Sequence, residues 1–515
     1  MNDPECAPLP FLRSGGPLDE PSDALAVAFV QELIKLLPTF PEHCSDTMNI
    51  LLIGILLYIL LQLALGYVVS RSIRTENDYL LAGRKLGYVL ATFSMFATWF
   101  GAESCIGTAG AAYSEGLAGV TSDPFGYAIC LLMMGLFFAV PLWKMKLTTI
   151  ADFFRIRFSV STERVIAVIM IPTSLLWAAA QIRAFGLVLS ASSELEVSVA
   201  ISVAAAVVVA YTIMGGLLAD AITDVVQGVV LIGGLFILLP SLVQDLGGLS
   251  TAVGSVAPEK LSVLSSSSDF SLYRILQVAE AWAIPVLGSV IAQEMISRVL
   301  ASRSPAVAQR SSLMAAGAYL LIGLIPLSIG LLGATTILHL EEPEQILPLL
   351  ARQHLSTFGY VLFAGALVSA ILSTVDSALL AASGILCHNL IIPIRPEMSE
   401  TAKVRLQRSG VAVMGVLAYV IALHAEGVYD LVKDASAFGS GAVFVVFLFG
   451  MYSKFGTARS AVSALLTGSL VWIIAHYLFA FDLSFLAATA SALLAYVVVA
   501  ILGQPVPAAE IDAPT

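Results

Sequence analysis

Charge is what this sequence has least of: Asp, Glu, Lys and Arg make up 12% of 515 residues, about half the share of a water-soluble domain, and 58% are apolar. So few charges, with 39 Gly and 13 Met, exclude a disordered chain, a coiled coil and a nucleic-acid binder. Neither G-x-x-x-x-G-K-[ST] nor G-x-G-x-x-G occurs, which argues against ATP-driven chemistry. The six His stand apart on loops and span ends without metal-ligand spacing, and no Ser-His-Asp or Cys-His arrangement can be argued, so no enzyme is expected. Of the five Cys, Cys105, Cys130 and Cys387 fall in apolar stretches, as small buried hydrophobes do. Cys6 and Cys44 could pair if their end is external, and two free thiols there are as ordinary.

Long uncharged runs are what the chain has instead. A helix needs about 20 residues to cross about 30 Å of hydrocarbon. Runs at 47–70, 124–143, 197–219, 225–244, 311–340 and 460–481 meet this outright; 86–114, 165–193, 275–297 and 355–390 meet it while carrying one or two charges; 409–425, 435–453 and 483–503 are short or terminal. The expectation is an all-α polytopic membrane protein of thirteen spans. Arg and Lys crowd the loops after spans 1, 3, 7, 9 and 11, while acidic residues such as Glu194, Glu341 and Asp482 mark the opposite loops. Basic loops stay cytoplasmic, which puts the N-terminus outside and the C-terminus inside. Residues 1–46 lack a signal peptide's basic region and read as an external tail whose 24–37 stretch suits a surface helix. The transmembrane domain is then 47–503 and a short cytoplasmic tail 504–515, with no soluble domain after Gly503.

Ionisable groups at bilayer depth are expensive, so those retained are candidate working parts. Glu103 follows Trp99 by four residues, on the same helix face, in a stretch where Gly101, Gly107 and Gly110 weaken the helical ladder; close packing through small residues is the other reading. Asp220 and Asp224 share one face after Gly215-Gly216, and could equally be the solvated start of a helix. Asp376 lies mid-span among Ser373, Thr374 and Ser377, oxygen ligands that suit sodium; alternatively the hydroxyls bond back to their own helix and Asp376 pairs with Arg183 or is protonated. Arg183 could also be a counter-charge for Glu103. Glu280 and Glu294 flank Pro285 and Gly288, a second possible break, and both stand near enough to span ends to be solvated.

From about 45 to 500 the chain resembles the sodium:solute symporter family, which includes proline, choline, sugar and sialic-acid carriers. The resemblance rests on Asp78-Tyr-Leu-Leu-Ala-Gly-Arg-Lys-Leu-Gly87, on Gly215-Gly-Leu-Leu-Ala-Asp-Ala-Ile-Thr-Asp224 with the Val-Val-Gln after it, on the Ser373-Thr374 pair, and on Ile150-Ala-Asp-Phe-Phe-Arg-Ile-Arg-Phe158. It implies two inverted five-helix repeats, spans 2–6 and 7–11, with spans 2 and 7 interrupted where substrate binds. It further implies a sodium site of backbone carbonyls and hydroxyls at Ala97, Phe100, Ala370, Ser373 and Thr374. A second ion site, present in some members, would fall on Asp224, Ser373, Asp376 and Ser377, with Asp376 where a hydroxyl residue is usual. Arg84 matches a residue of the cytoplasmic gate. Trp99 and Glu103 fall at substrate-contacting positions, where an aromatic face and a carboxylate suit an ammonium group; Gln293 and Arg183 are further substrate-binding candidates. The family's Gln-Arg pair reads Ser297-Arg298 here, a departure from its pattern.

The expected activity is sodium-coupled import of a small organic solute, an amino acid or amine favoured, in a multi-pass plasma-membrane protein with no cofactor beyond Na+ as coupling ion. Its partners are the solute, Na+ and the lipid bilayer, with no nucleic acid. A proton-coupled carrier is the near alternative, and a transporter-fold sensor signalling through a partner is the alternative of another class.

Overall fold

Inside hydrocarbon each backbone N–H and C=O must be satisfied within the chain, and helices do this locally. The computed structural model describes residues 73–192, 195–214, 216–262, 271–425 and 427–503, with Leu57, Ala64, Val68, Val69 and Arg71, and all regular structure among them is helical apart from one isolated bridge, Leu86 to Ser302. The predicted span at 47–70, the 24–37 helix, Cys6 and Cys44 and the 504–515 tail lie outside the described residues, apart from the few named. The chain divides into two units at Cys44, and all the described residues belong to the second, Ser45–Thr515.

Nine helices among the described residues are long and apolar enough to cross a membrane, or ten with one bent pair counted as a span. The span expected at 86–114 is broken into α1 (Tyr88–Ala97) and α2 (Thr108–Glu115), separated by a non-helical turn at 98–101 and a wide helical turn, Glu103–Gly107. There follow α3 (Ser122–Lys144), α4 (Val160–Ser192), α5 (Val197–Met214) and α6 (Leu217–Asp245). The expected second break is present: α7 (Leu272–Ala283), continued by a wide turn to Gly288, is separated from α8 (Gln293–Ala301) by a 40° bend. Next come α9 (Pro305–Thr336), α10 (Thr357–Gly384), α11 (Glu400–His424), α12 (Val428–Ala437), α13 (Ser440–Tyr452), α14 (Ala458–Ile473) and α15 (Ser484–Leu502).

The span expected at 409–425 begins earlier, at Glu400. Its basic first turns carry no apolar signal, but Ser399 caps them by accepting the Ala402 N–H, so the helix starts before its membrane-apolar part. Large apolar side chains such as Phe236, Leu321, Leu470 and Leu494 stand on the outside, a surface that suits lipid, while polar groups collect inside. α10 is the most enclosed of the long helices and packs on α4, α6 and α11, with α1 lying between α6 and α9. This places the α1 break against the middle of α10.

Candidate functional site

At the α1 break backbone groups lose their helical partners, and side chains replace them. Gln181 of α4 accepts the Ala102 N–H through Oε1 at 3.0 Å, and the Ser104 hydroxyl oxygen lies 2.9 Å from Trp99 O. Gly101 is required here: a Cβ would overlap Thr374 Oγ1 and Gln181 Oε1. The Thr374 hydroxyl lies 3.2 Å from Ala97 O and 3.1 Å from Ala370 O, so three oxygens from the end of α1 and the middle of α10 converge. Three oxygens of this kind are part of the shell a hard cation takes. Of the five residues implied for sodium, the structure thus joins Ala97, Ala370 and Thr374. Phe100 follows on the same turn, its ring stacked on Phe96 at 4.6 Å. Ser373 turns elsewhere.

Ser373 donates to Asp224 and, at 3.3 Å, to Asp220. Ser377, one turn on, donates to Asp220 at 2.9 Å. Asp220 and Asp224 are wholly buried, so they do not form the solvated helix start that their position after two glycines allowed. Into this cluster reaches Arg298 of α8, 1% exposed, with its guanidinium 2.5 Å from Asp220 and bonded to Ser377, Ser94 and Glu294 O. The sequence alone places Arg298 among the basic loop residues. The bend before Gln293 carries it inward instead. Asp376 is not drawn into the cluster by any hydrogen bond: both its carboxylate oxygens are buried without a partner, with Thr212 the hydroxyl that faces it. The implied set Asp224, Asp376 and Ser377 is therefore not joined by hydrogen bonds: Asp224 is held by Ser373, Ser377 bonds Asp220, and Asp376 accepts from neither.

A second polar group gathers on the far side of the α1 break. Trp99 is 1% exposed and lies 5.4 Å from the Tyr127 ring, which in turn meets Trp177 and Tyr319. Glu103, 2% exposed, presents Oε2 without a hydrogen-bond partner. Asp123 accepts from Ser104 at 2.5 Å and from Tyr319 at 2.7 Å through Oδ2, and its Oδ1 is buried and unpartnered. Sequence reasoning missed Asp123, because the uncharged run begins at Pro124 and a carboxylate just before a span is ordinarily solvated. The Tyr127 hydroxyl lies 3.1 Å from Ser436, which leads to Ser289 at 3.3 Å. Ser289, Ser436, Trp177, Gly288 and Glu294 line a pocket at the α7 break. Glu294 is buried there and accepts from Ser174 at 2.5 Å, and Glu280 is buried capping α15 through the Phe485 and Leu486 N–H groups, so neither is the solvated residue expected.

Two of the four substrate candidates lie elsewhere. Gln293 accepts the Ile150 N–H at 2.7 Å and donates to Ser297 at 2.8 Å, facing the basic loops. Arg183 acts on Glu344, which accepts the Val428 and Tyr429 N–H groups at the start of α12. Burial raises the Glu344 carboxyl above its ordinary value, against the pull of those amides and of Arg183.

At the end bearing the basic loops, Arg84 joins three segments, donating to Leu147 O at 2.6 Å, Lys146 O at 3.1 Å and Leu300 O at 3.3 Å. Its φ of +58° is left-handed, unusual for a side chain with a Cβ. Beside it the Leu86 N–H donates to Ala301 O and Arg303 N–H to Leu86 O. Asp152, in the short helix Ile150–Arg157, ties this layer to the wide turn Ile385–Ile391 that follows α10: it accepts from Thr148, Thr149 and Asn389, and His388 lies 3.4 Å away. Burial opposes its charge, but His388 and the threonine amides outweigh that and hold the carboxyl below its ordinary value.

The sodium:solute symporter family pattern matches residues 79–468 of the chain. The chain is 29% identical over 404 residues to the high-affinity choline transporter 1 of Drosophila melanogaster, covering 74% of this chain and 63% of that protein. It thus spans less than two thirds of that relative's length. The sodium/pantothenate symporter of Escherichia coli is 23% identical, with 77% of this chain and 84% of that protein covered. A substrate-bound, outward-open Na+-coupled sialic acid symporter shares the fold at a TM-score of 0.77 and 19% identity, over 88% of this chain and 98% of that one.

Proposed function

The chain belongs to the sodium:solute symporter family, and we propose that it is a sodium-coupled secondary symporter that imports a small organic ammonium solute by alternating access. The observation that carries the sodium part is the Thr374 hydroxyl bonded to Ala97 O at the broken end of α1 and to Ala370 O on α10. An ion at that junction would tie the two helices together and shape the unwound segment, so ion and solute would each raise the other's affinity by the same factor. The solute class is supported by Trp99, Tyr127 and Tyr319 around Glu103 and Asp123, whose open oxygens suit a cation with N–H or C–H groups. It is also in keeping with the choline transporters among the relatives.

In this reading thirteen spans cross the plasma membrane in two inverted repeats, spans 2–6 and 7–11, with the N-terminus outside and the basic loops inside. Arg84 and the Leu86–Ser302 contact then form the cytoplasmic gate, closed in the arrangement described, and Glu344 with the start of α12 lies on the outer side. The 1–46 tail is external and 504–515 cytoplasmic. The test is uptake into proteoliposomes of a panel of amines, amino acids, sugars and carboxylates under an inward sodium gradient. Sodium-driven accumulation of an ammonium solute, lost in Thr374→Ala, is the expected result. Accumulation that follows a proton gradient without sodium would instead favour the proton-coupled reading, for which the buried, unpartnered carboxylate of Asp376 is the supporting observation.

A further inference from the structure

Resting on the symporter reading above, we propose that the solute is a linear α,ω-diamine, one end held by Glu103 and Asp123 in the aromatic cage and the other by Glu294 in the pocket at the α7 break. Hydroxyls join the two acidic places. Tyr127 faces Glu103 and Asp123 on one side, and its hydroxyl lies 3.1 Å from Ser436 on the other; Ser436 in turn lies 3.3 Å from Ser289. Ser289 and Ser436 line the same pocket as Glu294, and so does Trp177, whose ring meets that of Tyr127 edge-on at 6.0 Å. Cage and pocket are thus neighbours that share a wall. Ile169, Met170, Ile291 and Phe438 give the pocket apolar sides that suit methylene groups, and Ala292 brings only a methyl to it.

The charges ask for a cation at each end. Glu103 Oε2 and Asp123 Oδ1 are buried without a hydrogen-bond partner, and the two carboxylates lie close enough to repel each other. Glu294 is 7% exposed, and its carboxylate accepts from one neutral hydroxyl, that of Ser174. Arg298 is the cation that acts on Glu294, but its nitrogens go to Asp220, Ser94, Ser377 and the Glu294 main-chain O, and the same guanidinium also faces Asp224 and Asp376. It is too widely shared to compensate Glu294. A single ammonium in the cage leaves this carboxylate with Ser174 alone, in an interior where an uncompensated charge is costly. A second ammonium on the same solute supplies the missing charge.

Binding calorimetry on the purified full chain in saturating sodium tests this at neutral pH, where every alkylamine carries its charge. The four- and five-carbon diamines putrescine and cadaverine are set against n-butylamine and n-pentylamine, which have the same chains and one charge. Each diamine should bind at least ten-fold tighter than its monoamine. Glu294→Gln should bring that ratio to about one, and Ala292→Leu, which narrows the pocket without touching a charge, should reduce it as well. Sodium-dependent binding of the monoamines with a ratio near one in the wild type, or a ratio kept in both folded variants, would overturn the proposal while leaving the ammonium symporter reading intact. No sodium-dependent binding of any of the four amines would overturn that reading and the proposal with it. If neither variant folds, the wild-type ratio decides alone.

Discussion

Gln181 Oε1 lies 3.0 Å from the Ala102 N–H, the group that the break in α1 has deprived of its helical acceptor. One side chain of α4 thereby supplies the acceptor that water would otherwise have to provide to the unwound backbone. Leaving a buried donor unpaired costs about 1–3 kcal/mol. Gln181→Leu should therefore lower the unfolding temperature in detergent and reduce transport, while Gln181→Glu, which keeps an acceptor, should be milder. Equal behaviour of the two variants would show that the bond does not support the break.

Gly101 should tolerate no side chain. A Cβ there collides with the Thr374 hydroxyl and with Gln181, the two groups that meet the broken segment. Gly101→Ala should abolish sodium-stimulated uptake, by at least ten-fold, even where the protein reaches the membrane in normal amounts. Gly233→Ala, whose new methyl meets nothing within 4 Å, is the matched control and should transport normally.

Glu103 and Asp123 should both matter for a cationic solute. Asp123→Asn keeps an acceptor for Ser104 and Tyr319 but removes a charge from the aromatic cage. Loss of a charge contact in a dry site is worth about 1.5–3 kcal/mol, roughly ten- to hundred-fold in apparent affinity. Competition by ammonium compounds against a transported solute would measure it. Unchanged affinity in both Asp123→Asn and Glu103→Gln would remove the ammonium assignment.

Asp152 makes stability depend on acid. Its carboxyl titrates below its ordinary value in the folded protein, so the unfolded chain takes up the proton first as pH falls. Its contribution is thus fully present above the unfolded value of about 4 and is lost as pH drops through the lower folded value. The gap in unfolding temperature between the wild type and Asp152→Asn should be constant from neutral pH to about 5 and close below about 4. A gap that persists unchanged in acid would show that the aspartate acts through hydrogen bonds alone.

The sequence by itself determined that helices cross a membrane, where most of them run and where two of them break. Backbone in hydrocarbon has few options, and uncharged length, Gly101 and Pro285 with Gly288 are local signals. It also marked Thr374 with Ala97, and Trp99 with Glu103, since these follow from one helix's spacing or from the family's motifs. Only the tertiary structure decided how the charges pair. Arg298 reads as a loop cation until the bend at 289–292 turns it onto Asp220; Asp123 reads as a span's solvated edge until Ser104 and Tyr319 close over it; Gln293 and Arg183 go to Ile150 and Glu344. The reason is physical: a buried charge is stable only beside partners from other helices, and which helices lie beside it is set by packing over hundreds of residues of separation.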